Sequence, residues 1–177
     1  LAMKWWKESS FNEADRNKAK DGKKAVASGG GGVAEGWNYR TAELDERPPY
    51  HSMTAGAVGA LVIYNHILKK DWKKDAAVEM GMKWLTDKFV IEAWNGYYMY
   101  ALERAGILYG TEKFGDRHWY REGAYAILGT QKPDGSWGED SEGAGGTTWY
   151  GKTWDTCFSI LFLRRATRPL VASGVMK

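Results

Sequence analysis

Few residues of this chain could do chemistry, and they are scattered. Asp155 and Cys157 stand two apart in Trp154-Asp-Thr-Cys-Phe158, at the head of an apolar run. An aspartate there reads as a helix cap, and a lone cysteine reads as a small apolar packing residue. Glu43-Leu-Asp45-Glu46 and Glu139-Asp140-Ser-Glu142 gather carboxylates, but both lie in polar loops, where such groups stay ionised and make poor proton donors. His51 and Ser52 at a helix start read as capping groups rather than a dyad, and His118, between Arg117 and Trp119, as a surface histidine. Aromatic rings are the larger resource. Trp94, Tyr97, Tyr98, Tyr100, Trp149, Tyr150 and Trp154 cluster near helix starts, where their faces suit a carbocation, a sugar or an isoprenoid; packing between repeats is the structural alternative.

Composition bounds what can position these residues. The 177 residues are enough for one domain with a core, and 44% of them are hydrophobic. Ten Trp, ten Tyr and five Phe are a heavy aromatic load, suited to helix junctions and to pockets with wet rims. A net charge of +3 gives no argument for nucleic acid or an anionic membrane as partner. The local run Lys69, Lys70, Lys73 and Lys74 reads as a solvated helix junction. The single cysteine removes both an internal disulfide and a four-cysteine zinc site. No run of eighteen apolar residues is present, so no transmembrane segment is expected. The opening Leu1-Ala-Met-Lys-Trp reads as the start of an excised or trimmed piece.

The pattern along the chain is helical throughout. Residues 1–35 divide into the last turns of a helix, with Met3 and Trp6 on one face, and a polar insertion ending in Ser28-Gly-Gly-Gly-Gly32. That glycine run lacks the Gly-Lys-Ser/Thr ending of a phosphate loop and reads as flexible linker. Residues 36–168 carry the repeats and 169–177 form a tail. Ser52 is the expected N-cap of a helix over 53–69, rich in small residues that allow close helix approach. Asp71 is the expected cap of a second helix, 72–89, with Ala76, Met80, Trp84 and the Lys83 stem on its inner side. A third helix runs over 97–109 and stops at Gly110, a fourth over 117–130, and a fifth over 154–165. Between the last two, Ala124, Ile127 and Leu128 share a stripe, Pro133 ends the helix, and Asp134-Gly135 supplies turn chemistry ahead of Trp137. The Gly-rich loop over 138–152 is long for a helical connection.

Thr54-Ala-Gly-Ala57, Tyr98-Met-Tyr-Ala101 and Thr156-Cys-Phe-Ser159 each follow a tryptophan-bearing turn, at Trp37, Trp94 and Trp137, which marks an internal repeat of helical hairpins. The turn Gln131-Lys-Pro-Asp-Gly135-Ser-Trp137, with Arg121, Gly123, Tyr125, Ile127 and Leu128 before it, resembles the QW motif. That motif belongs to the superfamily of squalene–hopene cyclases, oxidosqualene cyclases and protein prenyltransferase β-subunits. The resemblance covers roughly residues 36–167, with one strong copy and two weak ones. It implies an all-α fold of repeated hairpins forming an α/α toroid or part of one, with Gln131, Gly135 and Trp137 as structural rather than catalytic residues.

The same resemblance frames the function. The family's cyclases protonate an alkene or epoxide with an Asp-x-Asp-Asp acid, and no such run occurs; Asp155 is the remaining candidate acid. Its prenyltransferases hold zinc with an Asp-x-Cys pair and a later His, which Asp155 and Cys157 match in part, although His51, His66 and His118 all lie upstream. A complete catalytic site is therefore not expected. The expected function is a toroid module serving assembly or binding of an isoprenoid or other apolar ligand, with Trp94, Tyr97, Tyr98, Tyr100 and Trp154 as ligand-binding candidates. The alternative is a squalene-type cyclase whose acid lies outside this chain. Five or six helices make about half a ring, so a missing part of the polypeptide or another chain is the expected partner.

Overall fold

The computed structural model describes residues 3, 4, 6, 36–39, 48–138 and 151–170. Five α-helices account for most of them: α1 (His51–Ile67), α2 (Ala76–Asp87), α3 (Gly96–Tyr109), α4 (Trp119–Gly129) and α5 (Gly151–Leu163). A single 3₁₀ turn, Trp72–Lys74, precedes α2. No strand occurs among the described residues; Phe114 and Arg117 form an isolated antiparallel bridge. The chain is all-α.

The helix boundaries follow from local chemistry, with several departures from the sequence pattern. α1 begins at His51, with Tyr50 in extended conformation before it and no side-chain cap. Ser52 is buried within the first turn, so it does not cap, and the His51 Nε2 pairs instead with the Lys88 carbonyl oxygen at 2.8 Å. Asp71 caps only the 3₁₀ turn, through the Lys73 N–H, while Asp75 takes the first orphan donor of α2, the Ala77 N–H. Asn95 caps α3 through the Tyr98 N–H, and Gly110 closes that helix with φ +84°, where a side chain would be strained. α2 buries Ala77, Val78, Gly81, Met82, Trp84 and Leu85. Of the expected inner stripe only Trp84 is buried; Ala76 and Lys83 face solvent. The helix lies rotated from that expectation, with Gly81 turned toward Val58 of α1 and the Trp37 ring.

α3 is the centre of the arrangement. It packs most extensively against α1 and next against α5, so α1, α3 and α5 form a contiguous row. α2 lies on α1, and α4 touches both α3 and α5. The core runs between these layers through Val58, Leu61, Val62, Met99, Leu102, Trp119, Ile127 and Phe162. Its aromatic members interlock: the Tyr120 and Phe162 rings stack at 5.7 Å and Trp119 meets Phe162 edge-on at 6.0 Å.

Two tryptophan turns fasten this stack in the same way. The Trp37 N–H donates to Thr54 Oγ1 of α1 at 3.0 Å, and the Trp137 N–H donates to Thr156 Oγ1 of α5, also at 3.0 Å. Each indole then reaches back to the preceding helical segment: Trp37 Nε1 to the Trp6 carbonyl at 2.8 Å, Trp137 Nε1 to the Ile127 carbonyl at 2.7 Å. Thr54 and Thr156 are the positions that the repeat alignment equates. The second clasp is tightened by Gln131, whose side-chain amide donates to the Gly135 carbonyl at 3.0 Å, and by Lys152, whose ammonium meets the Asp134 carboxylate at 2.8 Å. Lys152 and Ser136 hold the Asp134 carboxyl well below the usual carboxylate range. Within the expected stripe Ile127 is buried, whereas Leu128 is exposed.

Candidate functional site

Where α3 and α5 begin side by side, their aromatic residues meet around a ring the sequence pattern did not single out, Phe158. Tyr100 stacks on it at 5.6 Å, Tyr97 approaches edge-on at 5.9 Å, and Trp154 tilts against it at 6.3 Å. The spacing that brings them together is helical. Tyr97 and Tyr100 are three apart on α3, Trp154 and Phe158 four apart on α5, so each pair shares a face. Tyr97, Tyr100 and Phe158 are half-buried and Trp154 is 55% exposed, so the cluster opens to solvent.

The other two aromatic candidates lie elsewhere. Tyr98, one residue from Tyr97, points into the core: it is fully buried, packs on the His51 ring at 5.5 Å, and donates its hydroxyl to the Val90 carbonyl at 3.0 Å. Burial, with the Glu92 carboxylate adding to it, holds its phenol well above the usual tyrosine range. It is a structural residue and no part of the exposed face. Trp94 is 63% exposed in the turn before Asn95, apart from the Phe158 cluster in its ring contacts. Trp149, Tyr150 and the two acidic loop clusters fall outside the described residues.

Asp155 and Cys157 diverge. Two residues apart on α5, they leave the helix on opposite sides: Asp155 is 5% exposed, while Cys157 faces solvent. The Asp155 carboxyl lies against Gly96 of α3 and Gly138 of the tryptophan turn, where a Cβ on Gly138 would sit 2.5 Å from Oδ2. Oδ2 has no hydrogen-bond partner among the described residues, and burial pushes the carboxyl above the usual aspartate range. The capping role expected of Asp155 is not its position, since α5 starts at Gly151. A zinc ion needs at least three converging protein ligands. Asp155 and Cys157 do not converge, and no group of three His, Cys, Asp or Glu side chains capable of holding a metal occurs among the described residues. These residues do not fit a zinc centre.

No family model, curated protein or solved structure matches this chain. The site is therefore described by its own chemistry: a partly exposed aromatic cluster on the α3–α5 row with a buried carboxyl beside it, Asp155. Two further polar groups on α3 border this region. Arg104 stacks over the Tyr100 ring at 5.7 Å and donates to its hydroxyl at 3.3 Å. Glu103, fully buried, accepts from the Thr167 N–H at 3.0 Å and from the Thr167 hydroxyl at 2.5 Å, tying the segment after α5 back to α3. Burial raises the Glu103 carboxyl against the lowering effect of those bonds. Phe158 and Arg104 had a legible signal in the four-residue spacings Trp154–Phe158 and Tyr100–Arg104. Glu103 had none, because its partner is 64 residues away.

Proposed function

We propose that this chain is a module of α/α-toroid type that binds an elongated apolar ligand of isoprenoid class on the face formed by Tyr97, Tyr100, Trp154 and Phe158. The observation that carries the reading is the ring cluster itself. Three aromatic side chains from two neighbouring helices, Tyr97, Tyr100 and Trp154, converge on Phe158, and the cluster keeps part of its surface open. Covering such surface with an apolar ligand is favourable by about 25 cal/mol per Å². The repeated tryptophan–threonine clasp supports the architectural half of the proposal. In this reading α1, α3 and α5 are inner helices, α2 and α4 outer ones, and the rest of the ring comes from further sequence or another chain, which gives the module a role in assembly.

The test is a titration of intrinsic tryptophan fluorescence with a C15 isoprenoid alcohol. Saturable binding is expected, weakened at least tenfold by Phe158→Ala while circular dichroism stays unchanged. Absence of saturable binding, or turnover of squalene or a prenyl diphosphate by this chain alone, overturns the proposal.

One observation favours a second reading, a squalene-type cyclase acting as an isomerase on a polyprenyl substrate. Burial biases the Asp155 carboxyl toward its protonated form, the state a proton donor requires. The Oδ2 atom nevertheless lies against Gly138 rather than among the exposed rings, so in this reading the acid is supplied from outside the chain. Cyclisation that appears only when the completing partner is added, and survives Asp155→Asn, is the result this reading requires.

A further inference from the structure

Past Leu163 the chain leaves α5 and reads Arg164-Arg-Ala-Thr-Arg168-Pro-Leu170. Thr167 is the only serine or threonine in the sequence with an arginine two or three positions before it, and it has both. Two guanidinium groups so placed are the charge pattern that basophilic protein kinases select with acidic pockets beside the acceptor site. Arg164, Ala166, Arg168 and Pro169 are exposed, while Arg165 and Thr167 are half-buried. A short set of contacts holds the segment down. The Arg165 and Ala166 N–H groups cap α5 on the Phe162 and Leu161 carbonyls, the Arg165 side chain pairs with Glu112 at 2.7 Å over the Trp119 and Tyr120 rings, and Leu170 packs against the core. The remaining tie is Thr167, whose N–H and hydroxyl both donate to the fully buried Glu103 carboxylate, at 3.0 and 2.5 Å. A segment with so few anchors opens locally at low cost, which gives an enzyme access to the hydroxyl.

We infer that Thr167 is a phosphorylation site for a basophilic Ser/Thr kinase, and that its phosphate detaches the segment 164–170 from α3. The co-reactant is magnesium-bound ATP. The bond between Thr167 Oγ1 and the γ-phosphorus forms as the bond from that phosphorus to the β,γ-bridging oxygen breaks; ADP leaves with the electron pair, and the hydroxyl proton passes to the kinase's catalytic carboxylate. Esterification removes the donor that Glu103 now accepts from and sets about −1.5 to −2 charges against that carboxylate. Repulsion between a phosphate and a buried carboxylate melts the segment that carries the phosphate. Capture of the phosphate in place by Arg165 is the weaker alternative, because that guanidinium is already paired with Glu112. Glu103 thus converts the modification into release, and the inference is independent of any ligand on the aromatic face.

The test incubates the full chain with magnesium-ATP and a purified kinase that selects arginine at the third and second positions before its acceptor, and maps phosphate by mass spectrometry. A peptide of residues 161–170 is the reference substrate. Both are expected to take phosphate on Thr167, and Arg164→Gln, at an exposed position, should slow each by about tenfold. Phosphorylation should speed hydrogen exchange over the described part of the segment by about tenfold, and by more than Thr167→Val does, since valine removes the same donor without adding charge. In Glu103→Gln the side chain still accepts but carries no charge, so the increase caused by phosphate should be largely lost. Failure of the kinase to modify the peptide, or to modify Thr167 in the folded chain, overturns the site. Phosphate on Thr167 with exchange no faster than in Thr167→Val overturns the release. An undiminished increase in Glu103→Gln overturns the role given to that carboxylate. Thermal unfolding identifies any variant that has lost the fold; if Glu103→Gln has, the comparison of phosphorylated wild type with Thr167→Val carries the test.

Discussion

Trp137→Ala removes the ring that fastens the end of α4 to the start of α5. The side chain is 5% exposed, so nearly all its surface leaves water on folding. Deleting a buried tryptophan costs about 3–5 kcal/mol in transfer and cavity terms. The lost indole hydrogen bond adds little, because the Ile127 carbonyl also accepts from the Thr130 N–H at 3.0 Å and the Thr130 hydroxyl at 2.9 Å and is not orphaned. The Trp137 N–H that donates to Thr156 Oγ1 belongs to the backbone and survives the substitution. For a chain of this size the cost corresponds to a fall in Tm of about 10 °C. Urea unfolding of wild type, Trp137→Ala and Trp137→Phe grades the burial contribution: Phe keeps one aromatic ring and loses the rest of the indole volume with the donor, so it should cost about 1–2 kcal/mol. Ligand binding should persist in both variants at temperatures where they stay folded, since the ring lies outside the Phe158 cluster. A cost below about 1 kcal/mol for Trp137→Ala, or equal costs for Ala and Phe, would refute the burial argument; loss of binding with stability intact would refute the structural role.

Other substitutions probe the rest of the frame. Gly123→Ala would place a Cβ 2.4 Å from Phe162 Cζ and 2.7 Å from Met99 Cε, so it should destabilise by about 1–2 kcal/mol in chemical denaturation despite the better helix propensity of alanine. Thr167→Val removes one of two donors to the buried Glu103 carboxylate and should cost about 1–2 kcal/mol, read as faster hydrogen exchange in the segment after α5. Asp155 carries a raised pKa in the folded state, so its favourable contribution is complete below an unfolded value of about 3.9 and is lost as pH rises through the folded value. Asp155→Asn should therefore stabilise the protein at pH 7 relative to its effect at pH 3, as measured by Tm across that range. A wild-type advantage that grew with pH would contradict the burial of that carboxyl.

By itself the sequence determined the all-α class, the approximate places of five helices, the Gly110 stop and the tryptophan turn, because each depends on contacts within a few residues or on a 3.6-residue period. It also singled out Thr54 and Thr156 as equivalent positions, and both receive a tryptophan N–H. Tertiary structure decided which face of each helix turns inward. Tyr97 and Tyr98 differ by one residue and about 100° of helix rotation, so only the packing of α3 between α1 and α5 could place one on the open face and the other in the core. The same rotation separates Asp155 from Cys157 and thereby dissolves the metal pair that their proximity in sequence suggested. Ser52 lost its expected cap because the helix starts two residues earlier, at His51, which finds the Lys88 carbonyl across the hairpin. Periodicity fixes that a helix has an apolar face; the neighbours available to cover it fix which residues that face contains.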